Sequence, residues 1–232
     1  MQTDITVITY HIHDLVEYIN WIYFFHAWGF QPQFATVSDI HECPVCQESW
    51  VNSLPETNRT KAREAIKLYR EALQMLNELD GRYPVYAIYR LMQANSDGDN
   101  LILNGVRFPL LRQQTRVHPE DPFLCLSDFV RPQSSGIPDT VGGFATTIDE
   151  RMEEAYSNDD YQQLLIKTLG ERLAEAAAEK IHETIRKEIW QYASDEQLSI
   201  RQLLNEEYQG IRPAVGYPSL PVSYTHLRAH ET

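Results

Sequence analysis

The hydrophobic period changes twice along this chain, and that change constrains its fold more than any single motif. Between residues 85 and 148 the apolar residues are often β-branched or aromatic and fall in short runs broken by Asn/Asp/Gly or Pro/Ser/Gly clusters. On either side they recur every three to four residues instead. Helices that flank a block of strands, without alternating with them, give an α+β class. Before the block, Asp14 followed by Glu17 reads as a capping box. Leu15, Val16, Ile19, Ile22 and Tyr23 follow at helical spacing, which predicts a helix over 14–28 that Gly29 stops. Residues 31–55, with Pro32 and Pro44 and no sustained period, read as a loop or short irregular pieces. A second helix is expected over 60–79, with Ile66, Leu68, Tyr69, Leu73, Leu76 and Leu79 on one stripe and Asp80-Gly81 as its break. Within the block, 85–94 and 101–108 are expected to pair as a hairpin around residues 95–100, and 123–130 and 141–148 read as two further strands. Residues 159–192 then form a long Ala/Glu/Leu-rich helix whose stripe holds Leu165, Leu169, Leu173, Ile181, Ile185 and Ile189. Ser199 caps a short helix to Glu207. No repeat or charged linker divides the chain, so one domain is the simplest count.

Composition removes several functional classes. A chain of 232 residues that is 43% apolar can bury a full core. Its 20 Lys and Arg against 33 Asp and Glu leave a net charge of −13, which repels a phosphate backbone, so no nucleic-acid partner is expected. The most apolar run, 18–30, is shorter than the roughly 18 residues a membrane span needs and carries Asn20 and His26, so no membrane is expected either. Residues 1–4 carry no positive charge ahead of a mixed segment, unlike a signal peptide. Cys43, Cys46 and Cys125 cannot close a disulfide framework, which fits a reducing, cytoplasmic location. His41-x-Cys43-x-x-Cys46 supplies zinc-ligand types, but a closed tetrahedral site needs a fourth that only Cys125 or another histidine could provide. Two reduced cysteines in a loop are therefore expected, with no metal. His11 and His13, alternating along an expected strand, and His26, on an apolar helix face, read as packed or surface histidines. Asp97-Gly98-Asp99 lacks the spacing of a calcium loop.

Residues 208–221 (YQGIRPAVGYPSLP) carry Pro213, Pro218, Pro221, Gly210 and Gly216, a fixed non-helical backbone with exposed amides around Arg212. On composition alone this is either an ordinary loop whose arginine pairs with a helix carboxylate or a strap that holds a ligand. The segment resembles the signature of the activation domain of cobalamin-dependent methionine synthase, which binds S-adenosylmethionine. Further segments resemble the family in order: Tyr18-Ile19-Asn20-Trp21 with Phe24-Phe25, LLRQQT at 110–115, CLSDFV at 125–130, ERLAEA at 171–176, and His182-Glu183 with Arg186-Lys187. Coverage runs from about Leu15 to Pro221.

The resemblance implies a C-shaped single domain with a twisted antiparallel sheet flanked by helices. It also implies a repair function, in which a methyl group from S-adenosylmethionine and an electron from a flavodoxin-like or other flavoprotein return oxidised cobalamin to methylcobalamin. The cobalamin would be bound by a partner module, since nothing here resembles the DxHxxG corrinoid signature. Methyl transfer to reduced cobalt needs positioning and no general acid, base or protein nucleophile, so no catalytic residue is assigned. In the family the arginine matched by Arg212 holds the methionyl carboxylate. Ala214, Gly216 and Tyr217 match positions that approach the nucleoside, and Glu175 matches a ligand-contacting glutamate. Read without the resemblance, Glu175 belongs with Glu171 and Glu179 to a solvated helix face. Asn20 stands where the family pattern has an aspartate bonding the ligand ammonium; an amide offers only its carbonyl oxygen, and its other reading is a core-facing Asn bonded to backbone. The family-like domain is thus expected over 1–221. Residues 222–232 look like translated adaptor read-through in place of the family's C-terminal strands and a ligand-contacting tyrosine. Met1 lies close to the first matching helix, which favours a stand-alone polypeptide. The rival readings are a non-catalytic module that docks on a corrinoid protein without binding S-adenosylmethionine and a zinc-stabilised interaction domain.

Overall fold

A computed structural model describes residues 4–116, 118–217 and 219–220. The expected non-native tail at 222–232, with Pro218 and Pro221 of the strap, lies outside the described residues. Among the described residues six α-helices, α1 Trp21–Ala27, α2 Pro44–Ser53, α3 Arg59–Leu79, α4 Arg151–Glu154, α5 Asp160–Thr184 and α6 Ile200–Leu204, flank a block of strands in the sequence. The strands are β1 Thr6–Tyr10, β2 Val85–Asp97, β3 Asn100–Leu103, β4 Val106–Pro109 and β5 Asp139–Ile148. They form an open antiparallel sheet in the order β1-β2-β3-β4, with β5 also paired to β2, so the α+β class holds. No helix among the described residues is long and apolar enough to cross a membrane.

The chain groups into two compact units, a helical one of Val7–Ile88 and Phe144–Tyr208, and a strand-rich one of the described parts of Met1–Thr6, Tyr89–Gly143 and Gln209–Thr232. The helical unit is built on α3 and α5. On α3 the buried positions are Ala62, Ala65, Leu68, Ala72, Met75, Leu76 and Leu79, so alanines occupy the centre of the stripe while Ile66 and Leu73 lie at its half-buried edge. Small residues there let neighbours approach closely, and Trp21 of α1 meets the Tyr69 ring edge-on at 4.7 Å. On α5, Leu165, Leu169, Leu173 and Ile181 are buried as expected, and the helix passes into a π turn at Ile185–Ile189.

Four expectations fail for local reasons. The helix predicted over 14–28 is two 3-10 turns, Ile12–Asp14 and Val16–Tyr18, followed by a fresh start at α1. Asp14 accepts from the His11 amide behind it at 3.2 Å, closing a turn instead of opening a helix, and Asn20 begins α1 as its N-cap. The loop expected over 31–55 contains a 3-10 stretch, Pro32–Asp39, and α2, because Pro32 and Pro44 each occupy a first-turn position where the missing N–H is no loss. The strand expected over 123–130 is instead a 3-10 turn, Leu126–Phe129, since the Asp128 carboxylate accepts from the Cys125 amide at 2.8 Å and folds the backbone locally. The strand expected over 101–108 is two strands, because Asn104 and Gly105 both take positive φ, 47° and 82°, in a two-residue type I′ turn between β3 and β4. The β2–β3 turn is tighter than the cluster 95–100 suggests: β2 runs on to Asp97, paired with Asn100.

Candidate functional site

The six residues picked out by resemblance fall in two places. Asn20 and Glu175 belong to the helical unit, and Arg212, Ala214, Gly216 and Tyr217 to the strand-rich one. Asn20 is half-buried and has extended φ and ψ (−78°, 93°), and its Oδ1 accepts from the Ile22 amide at 3.2 Å. Its side chain therefore fixes where α1 begins, and the second lone pair of that oxygen and its amide N–H groups remain for other work. Glu175 sits one turn beyond Arg172 on α5 and accepts a short hydrogen bond from it. The Arg172 guanidinium lies 5.8 Å from the centre of the Tyr23 ring, which ties the middle of α5 to α1. Glu171, Glu175 and Glu179 do not form a solvated face: exposure falls from exposed through half-buried to buried along that row.

In the strap, Arg212 is half-buried while Ile211, Pro213 and Ala214 on either side are exposed. Gly216 has φ +100°, a conformation that L side chains resist, and among the described residues nothing lies within 4 Å of where a Cβ would project. Its amide donates to the Leu220 carbonyl at 2.9 Å, and the Leu220 amide donates to the Tyr217 carbonyl at 2.9 Å, so the segment turns back on itself. The Tyr217 ring is 65% exposed. The segment thus carries a half-buried arginine, a glycine in the left-handed region and an exposed tyrosine. Depressions of about 380 Å³ beside the β2–β3 turn and about 340 Å³ between α3 and α5 contain none of these six residues.

The other family-like segments prove to be architectural. Arg186 is 1% exposed and forms a fork with Glu196, Nη2 to Oε1 at 2.5 Å and Nε to Oε2 at 3.1 Å, while Nη1 donates to His182 Nδ1 at 2.8 Å. The ring of Tyr208, the first residue of the segment 208–221, lies 4.3 Å from that guanidinium. Glu183 accepts from Tyr18 at 2.7 Å and from Lys187 at 3.1 Å. Burial alone would push the Glu183 carboxyl up, but these hydrogen bonds outweigh it and hold the carboxyl below its ordinary value, while burial and Glu183 raise the Tyr18 phenol. In the strand-rich unit Arg112 joins LLRQQT to CLSDFV: it donates to Asp128 at 2.7 and 2.8 Å, to Asp99 at 2.7 and 2.9 Å and to the Phe123 carbonyl at 2.6 Å. The fork from Arg112 lowers the Asp128 carboxyl to about 2. Spacing along the sequence does not reveal these partners, because Glu196 and Asp99 lie outside every segment singled out by resemblance.

The two cysteines expected in a loop lie at the start of a helix, Cys46 in the first turn of α2 and Cys43 at its cap, while His41 precedes it in irregular structure. Cys43 is the N-cap of α2, its sulfur accepts from the Cys46 amide at 3.3 Å, and hydrogen bonds from Cys46 and His41 lower its thiol to about 7. Cys125 is buried in the strand-rich unit.

Two comparisons bear on this geometry. A family model described as the activation domain of vitamin B12-dependent methionine synthase matches residues 11–229. A crystal structure of the MetH reactivation domain bound to AdoHcy is similar, with a TM-score of 0.78 and 32% sequence identity, over 99% of this chain and 69% of that one.

Proposed function

Because the chain belongs to the activation-domain family of vitamin B12-dependent methionine synthase, a methyltransferase, we propose that it binds S-adenosylmethionine and serves the reductive methylation of cobalamin. The observation that carries this reading is the likeness to a domain solved with AdoHcy, the demethylated product of S-adenosylmethionine, across nearly the whole chain. S-adenosylmethionine would supply the methyl group to cobalamin held by a partner module and reduced by one electron from a flavoprotein, with S-adenosylhomocysteine as the product. The residues of this chain bind and orient the donor. Arg212 takes the methionyl carboxylate with its planar fork, which a point charge could not match. The free lone pair of Asn20 Oδ1 accepts from the ligand ammonium, without the charge an aspartate would add. The Gly216 amide is already engaged with Leu220, so what the strap offers the nucleoside is the open space over Gly216, the backbone at Ala214 and the Tyr217 ring. Glu175 shares its carboxylate between Arg172 and the ligand. No group of the chain needs to gain or lose a proton in the transfer.

Calorimetric titration with S-adenosylmethionine tests the reading. Saturable binding is expected, and Arg212→Ala weakens it roughly 10- to 100-fold, the worth of a charge-assisted fork. Asn20→Asp, which keeps a good helix cap, strengthens it about five- to tenfold by restoring the charge opposite the ammonium. Absence of heat at millimolar ligand with a folded chain rejects the proposal in favour of a docking module.

A further inference from the structure

His41, Cys43 and Cys46 take no part in the proposed ligand site, yet each directs one ligand atom to a common point: all three atoms lie within 4.8 Å of one another. The local backbone explains why. Pro44 occupies the first turn of α2 with Cys43 extended before it (φ −67°, ψ 146°), so Cys43 and Cys46 are the N-cap and N3 positions. Those positions face each other across the first turn, which is how a side chain at the cap reaches the N3 amide. A Cys-x-x-Cys that spans them brings both sulfurs within 4.8 Å of each other, and the Cys46 amide donates to Cys43 Sγ at 3.3 Å. His41 is folded back over the same turn, its Nδ1 accepting from the Cys43 amide at 3.3 Å.

We infer that His41, Cys43 and Cys46 form an open, three-ligand site for a thiophilic divalent cation, with zinc the best match. Zinc–sulfur bonds of about 2.3 Å and zinc–nitrogen bonds of about 2.0–2.1 Å set ligand-to-ligand edges of about 3.4–3.8 Å in a tetrahedron. The widest pair here closes by about 1.4 Å at most, an adjustment within reach of side-chain rotation at an exposed histidine and two half-buried cysteines. Binding releases the two thiol protons, and the resulting two thiolates balance the charge of the cation. The exposed rim leaves the fourth position to water. Hard cations such as magnesium and calcium demand oxygen ligands that this set lacks. The cation would clamp the segment before α2 onto the first turn of that helix.

Cobalt(II) titration of the 232-residue chain, stripped of metal and kept reduced with a phosphine, tests the site. One equivalent is expected to produce a thiolate-to-cobalt charge-transfer band with the visible absorption of a tetrahedral centre, and zinc should displace it. Cys43→Ser with Cys46→Ser should abolish the band and weaken zinc binding by more than about 100-fold, beyond the 10- to 100-fold that outer-shell changes cost. His41→Ala, at an exposed side chain, should keep the fold and weaken binding at least about tenfold. No charge-transfer band from a chain whose three thiols titrate as free overturns the inference. So does a band that survives the double substitution, which would belong to Cys125, or an unchanged zinc affinity in His41→Ala.

Discussion

Arg186 in the helical unit and Arg112 in the strand-rich unit perform the same chemistry in different dielectric surroundings. Each uses a planar fork on carboxylates, and each lies in a segment that resembles the family. Arg186 and Glu196 are 1% and 8% exposed, so their desolvation is offset only while both partners are present. Arg112 and Asp128 are 31% and 38% exposed, and water screens whatever the pair gains. Likeness to a family therefore does not sort architectural arginines from ligand-binding ones. Both of these are engaged with carboxylates of the chain, and Arg212 differs in its setting, a half-buried side chain between the exposed residues Ile211 and Pro213.

The comparison can be broken most directly at Arg186. Arg186→Ala should cost about 3–5 kcal/mol in chemical denaturation by leaving the Glu196 charge buried alone, whereas replacing both residues with methionine should recover most of that loss. A double variant no more stable than the single one would show that the pair is not the source. In the strand-rich unit a turn should matter more than the ion pair. Gly105→Ala forces a side chain into φ +82° and should cost about 1–2 kcal/mol, read from the same denaturation curves. Arg112→Ala should lower the thermal midpoint by less than either change, and the difference should shrink as salt rises from low to molar concentration. A salt-independent loss would mean that Arg112 behaves like Arg186. The smallest effect is in pH. The Asp128 carboxyl lies at about 2 in the folded chain against an ordinary 3.8, so its contribution is complete above about pH 4 and disappears as pH falls toward 2. Subtracting the acid-denaturation profile of Asp128→Asn from that of the parent chain should show the difference closing in that window and flat above it.

How much was legible in advance varied with the range of the interaction. The period of α3 and α5 stood out because burial of one face repeats every turn, and the Ser199 cap was readable because its partner, Gln202, is three residues away. The first helix and the strand at 123–130 were misread because Asp14 and Asp128 each bond a backbone amide three residues behind them, a local competitor that hydrophobic period does not register. Pro32 and Pro44 looked like breakers and are starters, since a proline's effect depends on whether it falls at the first turn or inside the helix. Of the candidate site, the residues came from resemblance, and the structure adds what already holds three of the six: the Ile22 amide for Asn20, Arg172 for Glu175 and the Leu220 carbonyl for Gly216.

By itself the sequence determined the α+β class, the two long helices and the non-helical course of the described residues around Arg212, because periodicity, caps and the restricted backbone of proline and glycine act within a few residues. Only the tertiary structure decided which charges are spent inside the protein. Arg186 meets Glu196, and Arg112 meets Asp99 and Asp128, across ten to sixteen residues of intervening chain. A screened ion pair and a buried one share the same letters in the sequence, and it is the exclusion of water by distant packing that separates them.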